Sequence, residues 1–186
     1  MNRFLATKTL LDGVYCIDRH LINDERGFFS RIFCTEQLSV IGWHWPISQI
    51  NHTRTQKRGA VRGMHYQNPP YTDAKLVSCL KGSAWDVAVD IRRNSPTFLK
   101  WTAQLISAEN HRSLLILPGF AHGFQALEDD TELLYVHSQP YTPNADAGLN
   151  PLDSILAINW PTTVTQLSEK DRFQPHIRPS FQGIRL

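Results

Sequence analysis

Cysteine is scarce in this 186-residue chain: Cys16, Cys34 and Cys79, an odd number with no CxxC pair. That excludes a disulfide framework, speaks against a thiolate zinc site and favours a reducing compartment. Long apolar runs are missing as well. Residues 1–11 carry Arg3 and Lys8 without the apolar stretch of a secretory signal, and no later stretch approaches a membrane span. The expectation is a cytoplasmic protein with no membrane partner. Charge is balanced, 19 Lys and Arg against 17 Asp and Glu, and the cations are scattered. There is therefore no electrostatic footprint for duplex nucleic acid, although two or three local cations would suffice for a small anion. No dinucleotide glycine fingerprint or P-loop occurs, so no redox cofactor is expected. Long periodic helices and internal repeats are absent too.

What fills the chain is a series of short β-branched and aromatic runs punctuated by Gly, Pro, Asn and Asp. They fall at residues 48–52, 60–67, 75–80, 84–91, 98–106, 113–117, 121–126 and 131–137, preceded by runs at 13–17 and 28–33. Without helices between them, a parallel βαβ architecture is disfavoured and an antiparallel sandwich or barrel is favoured. The expected fold class is all-β, with residues 1–186 as one domain. A β-barrel core would span about 45–140, N-terminal strands and a short helix 13–42, and a C-terminal arm 141–186. The helix is expected over 35–42, capped by Thr35 and closed by Gly42. A second short helix would begin after Ser168 and place Asp171 on an ordered element.

The densest stretch is Arg62-Gly63-Met64-His65-Tyr66-Gln67, closed by Asn68-Pro69-Pro70. A histidine on a strand beside a guanidinium can remove a proton next to an anionic substrate; it can equally be a hydrogen-bonded structural residue. Strict alternation puts Arg62 and His65 on opposite faces, so a shared pocket requires a bulge near Gly63. Alternation also groups Trp85, Val87 and Val89 against Asp86, Ala88 and Asp90, acids that either meet solvent, line a cavity or hold the wall by hydrogen bonds. Tyr135 shares its face with Leu133 and His137. A second dense segment, Pro118-Gly119-Phe120-Ala121-His122-Gly123-Phe124, sets one histidine beside a glycine that permits close backbone approach.

These segments together resemble the dTDP-4-dehydrorhamnose 3,5-epimerase family from about Gly13 to Asp171. The most specific pieces are Asp24-Glu25-Arg26-Gly27-Phe28-Phe29, Gln49-Ile50-Asn51-His52, the Arg62–Gln67 stretch, Lys75-Leu76-Val77, Asp86-Val87-Ala88-Val89-Asp90-Ile91-Arg92 and the segment around His122. The resemblance implies a cupin-like jelly roll with a few short peripheral helices, a metal-free and cofactor-free isomerase, and a nucleotide-linked 4-keto-6-deoxyhexose as substrate. It also implies a homodimer. By motif, His65 would be the general base, Asp171 the acid that orients it, Tyr135 the proton donor on the other sugar face and Lys75 the cation at the C4 oxygen. Arg62 would contact the pyrophosphate, and Arg26 and Phe29 would reach the nucleotide from the neighbouring subunit. Gln49, Asn51, His122 and Tyr141 correspond to further pocket positions.

Three features depart from the family pattern. Arg31 stands where many members have glutamate, Gly148-Leu149-Asn150-Pro151 replaces a common Gly-Ile-Arg-Trp, and the loop from Thr53 to Gly59 is expected to be longer than usual. Two other readings compete. A metal-dependent cupin would use His65 and His122, although no His-x-His pair is present. A non-catalytic sugar-nucleotide binder would need neither a base nor an acid.

Overall fold

The computed structural model describes residues 2–186. Strands β1 (Phe4–Lys8), β2 (Val14–Arg19), β10 (Arg112–Ile116), β7 (Lys75–Lys81), β12 (Thr131–His137) and β5 (Gln49–Thr55) form a six-stranded sheet in the order β1-β2-β10-β7-β12-β5. A five-stranded sheet follows the order β13-β6-β11-β8-β9, built from β13 (Asp146–Gly148), β6 (Val61–Gln67), β11 (Phe120–Ala126), β8 (Ser83–Asp90) and β9 (Trp101–Ser107). Strands β3 (Leu21–Asp24) and β4 (Gly27–Ser30) make a separate hairpin. All strand pairs are antiparallel, and among the described residues the only α-helices are α1 (Thr35–Ser39) and α2 (Glu169–Arg172).

Three packed layers hold the sheets. Val77, Cys79 and Leu133 of one sheet meet Ala84, Ile106 and Phe124 of the other between them. The outer face of the six-stranded sheet buries Ile17, Leu76, Leu115 and Val136 under Leu38 of α1 and Trp43. The outer face of the five-stranded sheet buries Met64, Val87, Val89 and Ala121 under Leu149, Leu156 and Ile184 of the chain's last part. Alternation alone makes Trp85, Val87 and Val89 look like the core face of β8. They lie beneath the C-terminal arm instead, while Asp86, Ala88 and Asp90 point between the sheets. Asp90 is fully buried and gathers Arg92, Ser95 and Thr97, so it holds the wall.

Several boundaries differ from the sequence reading. Strand β9 begins at Trp101 rather than residue 98, because Leu99 takes positive φ and Phe98 turns out to stack on Phe181. Strand β4 ends at Ser30, leaving Arg31 in the approach to α1. Strand β5 runs on to Thr55, so Thr53, Arg54 and Thr55 are strand rather than loop. Thr35 does not cap α1: it is the first helical residue, and the N-cap Cys34 makes no side-chain cap bond. The helix is held by Leu38, which is fully buried against Trp43. Gly42 closes the segment at φ +112°, as expected. Strands β1 and β3 were not legible from the sequence.

Candidate active site

The bulge required near Gly63 is present. His122 of β11 is in register with His65 of β6, and Phe124 with Arg62, so β6 fits one extra residue between the two pairs. Two facing glycines make room for it. A Cβ on Gly63 would sit 2.5 Å from the Gly123 Cα, and one on Gly123 would sit 2.7 Å from the Arg62 carbonyl oxygen. Arg62 and His65 are thereby turned into the same cavity while Met64 packs outward.

That cavity, of about 680 Å³, opens between the two sheets. On the five-stranded side stand Arg62, His65, His122 and Phe124; on the six-stranded side stand Asn51, Thr53, Lys75, Tyr135 and His137. The C-terminal arm contributes Gln166, Ser168, Lys170 and Asp171.

His65 Nε2 lies 2.5 Å from Asp171 Oδ1, and the Ser168 hydroxyl accepts from the Asp171 amide to cap α2. Burial alone would raise the Asp171 carboxyl, but hydrogen bonds from His65, Ser168 and the Gly63 amide, with the neighbouring imidazole charge, hold it below the usual carboxylate range. With Nε2 engaged, Nδ1 of His65 is the nitrogen able to take a proton. His122 makes a second such pair, Nε2 to Asp86 Oδ1 at 2.7 Å. Both members are buried, and the other Asp86 oxygen has no hydrogen-bond partner. A third, His137 Nδ1 to Asp73 Oδ2 at 2.6 Å, was not singled out in the sequence.

Burial sets the groups on the opposite wall. It pushes the Tyr135 phenol far above the ordinary tyrosine value, with the Asp86 carboxylate adding to the effect, so the hydroxyl keeps its proton. It lowers the Lys75 ammonium, against the pull of Asp73, Asp86 and Asp146. Tyr135 is ringed by imidazoles: His122 edge-on at 6.0 Å and His137 stacked at 5.9 Å. Arg62 is oriented by neutral acceptors, Thr55 Oγ1 at 3.0 Å and the Arg54 carbonyl at 3.2 Å, which leaves its charge for an anion.

His65, Lys75, Tyr135, Asp171, Asn51, Arg62 and His122 therefore share one cavity. The other expected residues lie off its wall. Gln49 and Tyr141 meet each other beside it, the Gln49 side-chain oxygen accepting from the Tyr141 amide. Arg26 and Phe29 are on the β3–β4 hairpin, where Arg26 pairs with Asp24 and its side chain is 84% exposed. Arg31 is also outside, its guanidinium 3.8 Å from the Cys34 sulfur. Asn150 is buried and structural, donating to the carbonyls of Arg172, the last residue of α2, and of Gln174 just beyond it. Besides His137, the sequence reading missed Thr53, Arg54 and the arm residues Gln166 and Lys170. The face shared by Leu133, Tyr135 and His137 was the available signal for His137.

A metal reading fits the donor geometry poorly. His65 and His122 are register partners, but each imidazole is engaged by a different carboxylate, and among the described residues no three His, Cys, Asp or Glu groups converge to hold an ion.

Comparison with known proteins matches residues 8–178 to the dTDP-4-dehydrorhamnose 3,5-epimerase family model. A relative of that name from Shigella flexneri is 41% identical over 165 residues, covering 88% of this chain and 91% of its own length. The Legionella pneumophila epimerase RmlC, solved in complex with dTDP-4-keto-L-rhamnose, superposes with a TM-score of 0.91 at 37% identity over 98% of both chains. ChmJ, a 3'-monoepimerase from Streptomyces bikiniensis solved with dTDP-quinovose, gives 0.85 at 33% identity over 90% of this chain and 85% of its own. With its cupin-type antiparallel sandwich and this extent of likeness, the chain belongs to the dTDP-4-dehydrorhamnose 3,5-epimerase family.

Proposed function

We propose that the protein is an isomerase that inverts C3, C5 or both of a dTDP-linked 4-keto-6-deoxyhexose, by removing a proton and returning one through an enolate. The observation that carries this reading is the placement of His65, backed by Asp171, on one wall and of Tyr135 and Lys75 on the other. A carbon acid beside a ketone is weakly acidic, so its proton leaves only to a positioned base while charge on the oxygen is stabilised. His65 Nδ1 takes the proton and Lys75 stabilises the enolate oxygen. Tyr135, kept protonated by burial, donates to the opposite face, and inversion results. Arg62, at the end of β6 away from Lys75, receives the diphosphate. All these tasks fall to side chains. The base and acid on opposing walls also weigh against the binding-module alternative, which needs neither.

The protein acts as a cytoplasmic homodimer in this reading. Ile22, Phe28 and Phe29 are exposed on a hairpin that joins neither sheet, which suits an arm that carries Arg26 and Phe29 to a second copy's cavity. Arg31, next to that arm, would meet the nucleotide end with a positive charge.

Incubating the protein with dTDP-4-keto-6-deoxyglucose in deuterated water tests the function. Deuterium is expected at C3, at C5 or at both, and the pattern distinguishes a mono- from a di-epimerase. No incorporation at either carbon would rule the reading out. Sedimentation of the protein with and without dTDP tests the dimer.

A further inference from the structure

Each inversion strips Tyr135 of its proton, and the phenolate left behind lies in a pocket hostile to it. We propose that His137, held by Asp73, returns a proton to Tyr135 between successive inversions, an inference that rests on the epimerase reading above.

The geometry favours His137 over its neighbours. The side chain is 13% exposed and lines the cavity next to the exposed Asn51, whereas His122, on the same cavity, is 7% exposed and its partner Asp86 is fully buried. The imidazole ring lies nearly parallel to the phenol, 21° between planes at 5.9 Å. Asp73 sits two residues before the start of β7 and its side chain is nearly sealed. Its Oδ1 accepts from the Ser138 amide, the Ser138 hydroxyl and the Gln139 amide, and its Oδ2 takes His137 Nδ1. The carboxylate therefore fixes the ring and keeps a proton on Nδ1, leaving Nε2, 3.4 Å from the Asn51 amide nitrogen, as the atom that loads and unloads. The charged and titratable groups around the ring are Asp73, Tyr135 and Lys75, the last its register partner on β7; from β5 it meets the neutral Gln49 and Asn51. The phenol in turn is pushed strongly toward its protonated form, so a phenolate draws a proton from any loaded neighbour.

The step balances. After Tyr135 Oη has given its proton to carbon, imidazolium His137 passes the Nε2 proton to a bridging water, which gives one of its own to the phenolate oxygen. His137 is left neutral, with Nδ1–H still on Asp73, and recovers a proton from bulk water. The proton held by His65 leaves to bulk separately, so no net proton is consumed.

The test is H137Q, which keeps a polar side chain but cannot carry a proton, followed by rapid quench with substrate in excess. One equivalent of inverted product per site is expected at the wild-type rate, then a steady state slowed about tenfold or more, with KM falling in parallel and kcat/KM unchanged because the slow step follows the chemistry. Added imidazole should restore the steady state in H137A. D73N should show the same burst with a smaller slowing. Melting curves check that each variant is folded, with H137N as the substitute if H137Q is not. An unchanged steady state, or a raised KM with kcat intact, overturns the relay, because His137 would then be structural or a substrate contact. Wild-type protein that exchanges no deuterium at all would instead overturn the epimerase reading beneath it.

Discussion

The two walls of the cavity reach their chemistry by different means. On the five-stranded side each imidazole is held by a carboxylate, His65 by Asp171 and His122 by Asp86. On the six-stranded side Tyr135 and Lys75 are set chiefly by withdrawal from water, which raises one and lowers the other. The imidazoles are thus placed by a bond, whereas the phenol and the ammonium are governed by an environment. The first is lost with one atom and the second only when the packing around it changes.

The sharpest break is removal of the atoms to which proton transfer is assigned in the proposed reaction. H65A and Y135F should each lower kcat by about 10²- to 10⁴-fold. H65A should abolish deuterium washout, whereas Y135F should spare proton loss more than inversion, measured as washout against product formation. Next comes the charge at the carbonyl oxygen. K75M should cost about 10²- to 10³-fold in kcat, and D171N, which leaves the imidazole but removes its charged partner, should also lower kcat while leaving KM nearly unchanged.

The tight bulge can be attacked from behind. G63A must fit a Cβ 2.5 Å from the Gly123 Cα at φ +127°. It should cost roughly 1–3 kcal/mol by denaturant melting and should lower activity more than stability, because it turns His65 from the cavity.

The gentlest probe is pH. Because burial lowers Lys75 and raises Tyr135, the ammonium is lost first on going alkaline. The alkaline limb of kcat should fall below the ordinary lysine value of about 10.4, with Tyr135 still protonated. Ultraviolet titration should find Tyr135 and Tyr66, both raised by burial, ionising above the ordinary tyrosine value of about 10. On the acid side Asp171 is depressed. The stability it contributes is complete above the unfolded carboxyl's value of about 3.9 and is lost only as pH falls through its lower folded value; D171N should remove that dependence.

Most strands were legible because alternation and turn residues are local: residues 131–137 coincide with β12, and β6 and β7 are displaced by one residue at one end. The need for a bulge at Gly63 was legible too, since Arg62 and His65 could not otherwise share a face. What failed was inference about the outside of the sheets. Alternation assumes one wet face, and here α1 and the C-terminal arm cover both, which reversed the reading of Trp85, Val87 and Val89. Thr35 looked like a cap by residue type, but α1 is anchored through Leu38 by a tertiary contact no local rule contains. The Asp73–His137 pair joins residues 64 apart, so neither member announces the other.

The order in which the site is completed follows from the route of the C-terminal arm. Every strand of the two sheets is already available when Gly148 has been made, yet His65 lacks its carboxylate until Ser168 and Asp171 come into place. Removing that carboxylate alone with D171N, which leaves Ile184 packed on the five-stranded sheet, should uncouple grip from turnover in the mature protein.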